Sequence, residues 1–130
     1  MSTVPRLLVC EVTIPGNPVP KQRPRVGSRG ARTPERTLQA ELKVGWIVKE
    51  AIVGHGGPDG HTYAIEARFF EDRRPGQRVD ADNAAKLIGD ALNGVVWFDD
   101  TQVVEWHLFI ERGAKRPRTE LVIWRLGGEP

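Results

Sequence analysis

The segment from Asp82 to Asn93 constrains the fold most, because its apolar residues recur at the spacing of one helical face. The positions i, i+3, i+4, i+7 and i+8 are Ala84, Leu87, Ile88, Ala91 and Leu92. This stripe predicts an amphipathic helix that buries one face against another layer of structure. Asp82, Lys86 and Asp90 lie four residues apart on a different face, one above another. Gly94 is well placed to end the helix.

Four other segments alternate apolar and polar side chains, which predicts β-strands at residues 6–14, 63–69, 103–111 and 119–126. A further helix is predicted from Thr37 to about Val53, before the glycine-rich segment 54–60. The order β-α-β-α-β-β predicts an α+β fold, one domain over residues 1–130, with two main helices packed on a mixed sheet. Three residues on apolar faces are predicted to pack in the core: Cys10, Trp46 and Trp106.

Two connections are predicted to lack regular structure of their own. The segment from Pro15 to Pro34 is rich in proline, glycine and arginine, and proline cannot donate to a strand ladder. The basic segment 113–118 is predicted to join the last two strands as a hairpin loop.

The composition is that of an ordinary globular protein, with 39% hydrophobic and 28% charged residues. The longest apolar runs fall far short of the ~20 residues that span a bilayer. The acidic Glu11 comes too early for a signal peptide. We therefore expect a cytoplasmic protein with no membrane-spanning segment.

The net charge of +2 hides a strong asymmetry along the chain. Residues 1–40 hold seven basic side chains against two acidic ones, whereas residues 80–105 hold six acids against Lys86 alone. Arginine outnumbers lysine fourteen to five, and its planar fork can grip a phosphate through two hydrogen bonds. A basic arm beside an acidic pocket suits a polyanion on which a metal acts.

Five aspartates gather within residues 80–100, namely Asp80, Asp82, Asp90, Asp99 and Asp100. Such a cluster costs stability unless a cation neutralises it, and Mg²⁺ takes a few carboxylate oxygens and leaves its other positions to water and phosphate. Taken singly, Asp80 or Asp82 can cap a helix, and Asp99-Asp100 can form a turn. An EF-hand fits poorly, because Ala85 and Ala91 stand where its glycine and final glutamate would fall.

These acids and their neighbours form a motif, in chain order Asp80, Asp82, Asn83, Lys86, Asp90, Asp99, Asp100, Gln102 and Val103. The motif resembles the RusA family of Holliday-junction resolvases, small Mg²⁺-dependent endonucleases of bacteria and phages. The segment 16–25, with Pro18, Pro20 and Lys21, is similar to that family's entry loop. The resemblance covers nearly the whole chain.

The resemblance implies a catalytic set of Asp80, Asp82, Lys86 and Asp100. It also implies that Asp80, Asp82 and Asp100 hold the metal, and that the protein is a homodimer. Such a metal polarises the phosphodiester and makes a bound water more acidic, while Lys86 can stabilise the charge that builds on the phosphoryl oxygens. How Asp99 and Asp100 share the ligand role is left open.

The DNA contacts are predicted to come from basic loops, some of them stiffened by proline. The candidates are Lys21, Arg23, Arg25, Arg73, Arg74, Lys115 and Arg116. The expected partner is branched DNA, in particular a four-way junction, which a homodimer would nick symmetrically on two strands. Two alternatives stay open: a nuclease that acts on flaps or forks, and a DNA-binding module whose acidic cluster holds a structural cation. Lys86 favours an enzyme, because a purely structural site has no need of a lysine that competes for its carboxylates.

Overall fold

The computed structural model describes residues 5–22, 25–27, 30–32 and 34–127, with backbone alone for 25–27 and 30–32. The described residues form, in chain order, β1 (Arg6–Pro15), β2 (Arg25–Gly27), β3 (Gly30–Arg32), α1 (Glu35–Ala51), β4 (Thr62–Glu71), α2 (Ala81–Ala91), β5 (Val103–Arg112) and β6 (Arg118–Leu126). Short 3₁₀ turns at Pro75–Gln77 and Asp100–Gln102 precede α2 and β5. No helix in the described part of the chain is long and apolar enough to cross a membrane.

Four strands form one mixed sheet in the order β1-β6-β4-β5. β6 pairs antiparallel with both β1 and β4, whereas β4 and β5 are parallel. The α+β fold with a mixed sheet and two main helices is therefore confirmed.

The predicted hairpin between the last two strands is wrong, because β4 lies between β5 and β6. The helix α2 carries the chain from β4 to the parallel neighbour β5, as parallel pairing requires a crossover. The next connection then passes the end of β4, where the N–H of Ala114 donates to the carbonyl oxygen of Glu71 at 3.0 Å. Alternation indicates which face of a strand is buried but not which strand lies beside it.

The predicted loop from Pro15 to Pro34 also contains structure that the sequence did not indicate. β2 and β3 pair antiparallel, with Gly27 opposite Gly30. Each strand has three residues, which is too short to show an alternating pattern.

The core lies between the sheet and the two helices. The predicted stripe of α2 is buried at Ala84, Leu87, Ile88 and Leu92, against sheet residues that include Ile65, Phe69, Leu121 and Ile123.

The core predictions for single residues had mixed outcomes. Cys10 is buried, and Trp106 packs against the core. The prediction for Trp46 is wrong, since 65% of it is exposed. α1 buries Val44 and Val48 instead, and a residue two positions from Val44 points away from that face.

Candidate active site

α2 begins directly after Asp80, whose backbone is extended (φ −76°, ψ 142°). The side chain of Asp80 makes no capping hydrogen bond, so capping does not explain this aspartate. Asp80 and Asp82 are both exposed. Both carboxylates therefore remain available to a ligand.

An ion pair between the buried Glu71 and the more exposed Arg112 fixes the chain just before Asp80. Glu71, at the end of β4, is 0% exposed, and its Oε2 accepts a hydrogen bond from the Val79 N–H at 2.8 Å. Arg112 Nη1 binds the other oxygen of Glu71, and Arg112 Nη2 donates to the carbonyl oxygen of Val79 at 3.3 Å. We call these contacts among Glu71, Arg112 and Val79 the clamp. It holds Val79, the residue that precedes Asp80.

The two neighbouring aspartates after α2, Asp99 and Asp100, differ in their contacts. Asp99 caps the 3₁₀ turn, because its Oδ2 accepts from the Thr101 N–H at 3.1 Å while Gln102 Oε1 accepts from the Asp99 N–H at 3.1 Å. The Thr101 hydrogen bonds lower the pKa of Asp99. Trp97 anchors the segment in the core, where its Nε1 donates to Asn93 Oδ1 at 2.9 Å. The turn leaves the Asp100 carboxylate directed towards α2.

Asp100 approaches α2 at a glycine. A Cβ atom on Gly89 would lie 3.3 Å from the Cβ of Asp100 and 3.5 Å from its Oδ2. An alanine at this position would therefore crowd Asp100, which would have to shift by a few tenths of an ångström.

The structure brings three of the four predicted catalytic residues into one pocket. Its lining includes Asp82, Asn83 and Lys86 from α2, Asp100 from the 3₁₀ turn, and Trp106 and Leu108 from β5. Asp80 lies at the helix start, outside this lining. The i, i+4 spacing of Asp82 and Lys86 presents both side chains to the same pocket.

Negative charge exceeds positive charge in and near this pocket. Burial raises the pKa of Asp100, the charges of Asp90 and Asp99 raise it further, and Lys86 opposes them. Asp90 itself is partly neutralised by Lys21, whose Nζ lies 3.2 Å from Asp90 Oδ2 and 2.7 Å from Glu41 Oε1. A bound cation would relieve the repulsion that remains at Asp100.

The donor atoms of the pocket fit Mg²⁺, which often binds through one or two carboxylates and keeps several waters. Asp82 and Asp100 supply carboxylates, and Asn83 supplies an amide oxygen. Among the described residues, no group of three or more histidine, cysteine or acidic side chains is arranged to hold an ion. The three-carboxylate ligand set with Asp80 therefore stays a prediction.

The predicted DNA contacts are dispersed. Arg73 and Arg74 line a second pocket, and Lys115 and Arg116 are exposed on the connection between β5 and β6. Lys21 is half-buried in its ion pairs. Arg23 lies outside the described residues, and Arg25 is described only by its backbone in β2.

Residues 15–124 match the family model described as Endodeoxyribonuclease RusA. The chain belongs to the RusA family. No curated protein matches the chain significantly. The RusA match includes α2, Asp100 and the clamp at Glu71, and membership of this family indicates endodeoxyribonuclease activity. The resemblance drawn from the motif is therefore confirmed.

We expect Asp100→Asn to raise the melting temperature at neutral pH in the presence of EDTA. The pKa of Asp100 is raised in the fold, so its ionisation costs stability as the pH rises between its unfolded and folded pKa values. The gain should be present above that window and shrink below about pH 4, where the carboxyl is protonated in both states. Thermal melts of both proteins across this pH range measure it, and an equal or lower melting temperature at neutral pH contradicts it.

Proposed function

We propose that the chain is a Mg²⁺-dependent, structure-selective endodeoxyribonuclease that resolves Holliday junctions in DNA recombination and repair. It would act in the cytoplasm as one endonuclease domain over residues 1–130. The observation that carries the proposal is the shared pocket of Asp82, Lys86 and Asp100 in a chain of the RusA family. The four-way junction is the substrate that this family acts on.

In the proposed mechanism, Asp82 and Asp100 would hold the metal, and Asp80 would supply a third carboxylate. Bound Mg²⁺ would polarise the scissile phosphodiester and make water acidic enough to attack near neutral pH. Lys86 presents its ammonium group one helical turn from Asp82 and stabilises the charge that develops on the phosphoryl oxygens. Asp99 contributes indirectly, because it caps the turn that carries Asp100.

The test is incubation of the purified protein with labelled four-way junction, flap and duplex DNA, with Mg²⁺ and with EDTA. We expect cleavage of the junction in Mg²⁺ alone. Cleavage of flaps in preference to junctions would favour a flap or fork nuclease. Tight binding of the junction without any cleavage would favour a DNA-binding module with a structural cation.

Lys86→Ala should slow junction cleavage by about a hundredfold with little change in junction affinity, because the lost charge acts mainly in the transition state. Single-turnover rates and the dissociation constant, measured on the same junction, separate the two effects. Arg68→Ala is the control, since Arg68 is an exposed cation on β4 outside this pocket. If the Lys86→Ala protein cleaves at the wild-type rate, Lys86 has no catalytic role and is only a salt-bridge partner of the aspartates.

The proposed assembly is a homodimer with two-fold symmetry. Resolution of a junction takes two symmetric nicks, and one chain with one such pocket offers one cut. α1 carries an exposed apolar stripe of Leu38, Leu42 and Trp46, spaced one turn apart, with Leu42 74% exposed. Contiguous exposed apolar patches often mark interaction sites, so we propose that this stripe meets its copy on a second chain.

Leu42→Glu should convert the dimer to monomer, because it would bury an unpaired charge at the centre of the proposed interface. Light scattering across a dilution series measures the mass. Leu7→Glu is the control, since Leu7 is also an exposed apolar residue but lies on the edge strand β1. If Leu7→Glu gives a monomer while Leu42→Glu remains a dimer, the interface lies at the strand edges instead.

A further inference from the structure

A second pocket lies along the segment that leads into α2, and arginine dominates its lining. Four of its lining residues are Arg36, in the first turn of α1, and Arg73, Arg74 and Arg78, on the segment between β4 and α2. Asp72 is the one acidic residue in the described lining. None of the four arginines forms a salt bridge to a described residue.

Hydrogen bonds at both ends fix the segment that carries three of these arginines. At its start, the N–H of Asp72 donates to Asn17 Oδ1 at 2.8 Å, and Asn17 Nδ2 donates to the Asp72 carbonyl oxygen at 3.4 Å. In its middle, the N–H of Gln77 donates to the Arg74 carbonyl oxygen at 2.8 Å. At its end, Val79 is held by the buried Glu71. The pocket is therefore formed by an ordered backbone rather than by a free loop.

Two of these arginines, Arg36 and Arg73, are close enough to repel each other. Burial lowers the pKa of Arg73, and the charge of Arg36 lowers it further, against an opposing effect of Glu71. An anion between the guanidinium groups would remove this repulsion, and arginine forks match the paired oxygens of a phosphate. A concave, cationic pocket with a polar lining suits a phosphate better than it suits an apolar ligand.

The two pockets are joined by a short piece of chain. Val79 lines the arginine pocket, Asp80 follows it, and Asp82 lines the catalytic pocket. Four residues of extended chain span at most about 14 Å, so Arg78 and Asp82 are no farther apart than this between Cα atoms. Phosphates along one DNA strand advance by roughly 3.4 Å each along the helix axis. A strand with its scissile phosphodiester at Asp82 therefore has another phosphate within reach of the arginines.

We propose that the pocket formed by Arg36, Arg73, Arg74 and Arg78 holds one internal backbone phosphate of the cleaved strand and so fixes the position of the cut. This inference rests on the proposed nuclease function and adds a subsite to it. An internal phosphodiester is the ligand, because the strands of a four-way junction run through the branch without an end.

The experiment uses junctions in which one phosphate at a time is replaced by a neutral methylphosphonate. Binding is measured in EDTA, so the result does not depend on cleavage. For the wild-type protein we expect one position, a few nucleotides from the cut or branch, at which the neutral linkage weakens binding about tenfold. In Arg36→Gln/Arg73→Gln the same linkage should weaken binding clearly less than tenfold, because two of its four arginine partners are already gone.

A matched control removes two cations outside both pockets, as Arg6→Gln/Arg68→Gln, whose partners are the surface residues Glu105 and Glu66. This protein should keep the full tenfold response to the neutral linkage. Arg36→Lys/Arg73→Lys keeps the charge without the fork and should give an intermediate response, with its fold checked by thermal melting. An undiminished tenfold response in Arg36→Gln/Arg73→Gln, or the absence of any sensitive position, overturns the inference.

Two further arms complete the test. In Mg²⁺, the Arg36→Gln/Arg73→Gln protein should distribute its cuts over several adjacent phosphodiesters where the wild type cuts at a fixed one; an unchanged cut pattern contradicts the positioning role.

A nicked junction with a 5′-phosphate is compared with its 5′-hydroxyl form. A gain in affinity confined to the 5′-phosphate form would assign the pocket to a strand end and overturn the internal-phosphate proposal. Failure of the wild type to cleave any DNA would overturn the nuclease function, whereas the binding arms would still decide whether the pocket holds a phosphate.

Discussion

Asp82→Asn and Asp100→Asn should each slow Mg²⁺-dependent junction cleavage by about a thousandfold or more, because each removes a metal ligand and several kcal/mol of stabilisation of the transition state. Junction affinity should persist or increase, since each substitution also removes a negative charge that repels phosphate. Cleavage rates at saturating protein, together with dissociation constants measured in EDTA, check both expectations.

The control variants for this prediction distinguish the two neighbouring aspartates. Glu111→Gln removes an exposed carboxylate on β5 and should leave cleavage unchanged. Asp99→Asn alters the cap of the 3₁₀ turn but not the carboxylate that faces α2, so its loss of rate should be smaller than that of Asp100→Asn. If Asp99→Asn lost more cleavage rate than Asp100→Asn, the metal-ligand role would belong to Asp99.

Glu71→Ala should lower the free energy of unfolding by about 1–3 kcal/mol, because it leaves the buried Val79 N–H without an acceptor and removes the buried carboxylate that Arg112 binds. Glu71→Gln should cost less, since an amide oxygen can still accept from Val79. Urea denaturation of both proteins measures the difference.

Glu66→Ala is the matched control for that prediction, because Glu66 also lies on β4 and pairs with an arginine, at a more exposed position. Exposed ion pairs contribute about 0–1 kcal/mol, so Glu66→Ala should be nearly neutral. Equal losses for the two alanine variants would show that the clamp at Val79 contributes nothing beyond an ordinary surface pair.

The parts of the fold that the sequence predicted are those with a regular period. The stripe of α2 and the alternation in β4 each report local burial, and both elements were predicted within about two residues of their bounds. The pairing partners were not predictable in this way: α2 carries the chain to β5 on one side of β4, and β6 lies on the other side, between β4 and β1. Trp46 was predicted wrongly, because spacing alone cannot show which of two apolar stripes of a helix meets the sheet.

The candidate site was predictable where its residues share one helix. Asp82 and Lys86 are one turn apart, so their common pocket follows from helical geometry. The approach of Asp100 depends on the small size of Gly89 and on the cap by Asp99, which are contacts between distant segments.

Other residues of the site gave weaker signals. Glu71 was missed, although an acid that continues the buried alternation of β4 is a usable sign of a buried ion pair. The arginine pocket was missed in part, because Arg36 joins Arg73 and Arg74 only when α1 packs beside the segment before α2.

The central claim is that this chain cuts four-way junctions by a metal-dependent reaction at the pocket of Asp82 and Asp100. The most direct measurement labels each strand of a junction in turn at its 5′ end and maps the nicks in Mg²⁺ and in EDTA. We predict paired nicks at symmetric positions on two opposing strands, in Mg²⁺ alone, and none with Asp82→Asn. A junction that is bound but left intact in Mg²⁺, or nicks that persist in EDTA or with Asp82→Asn, would contradict the account.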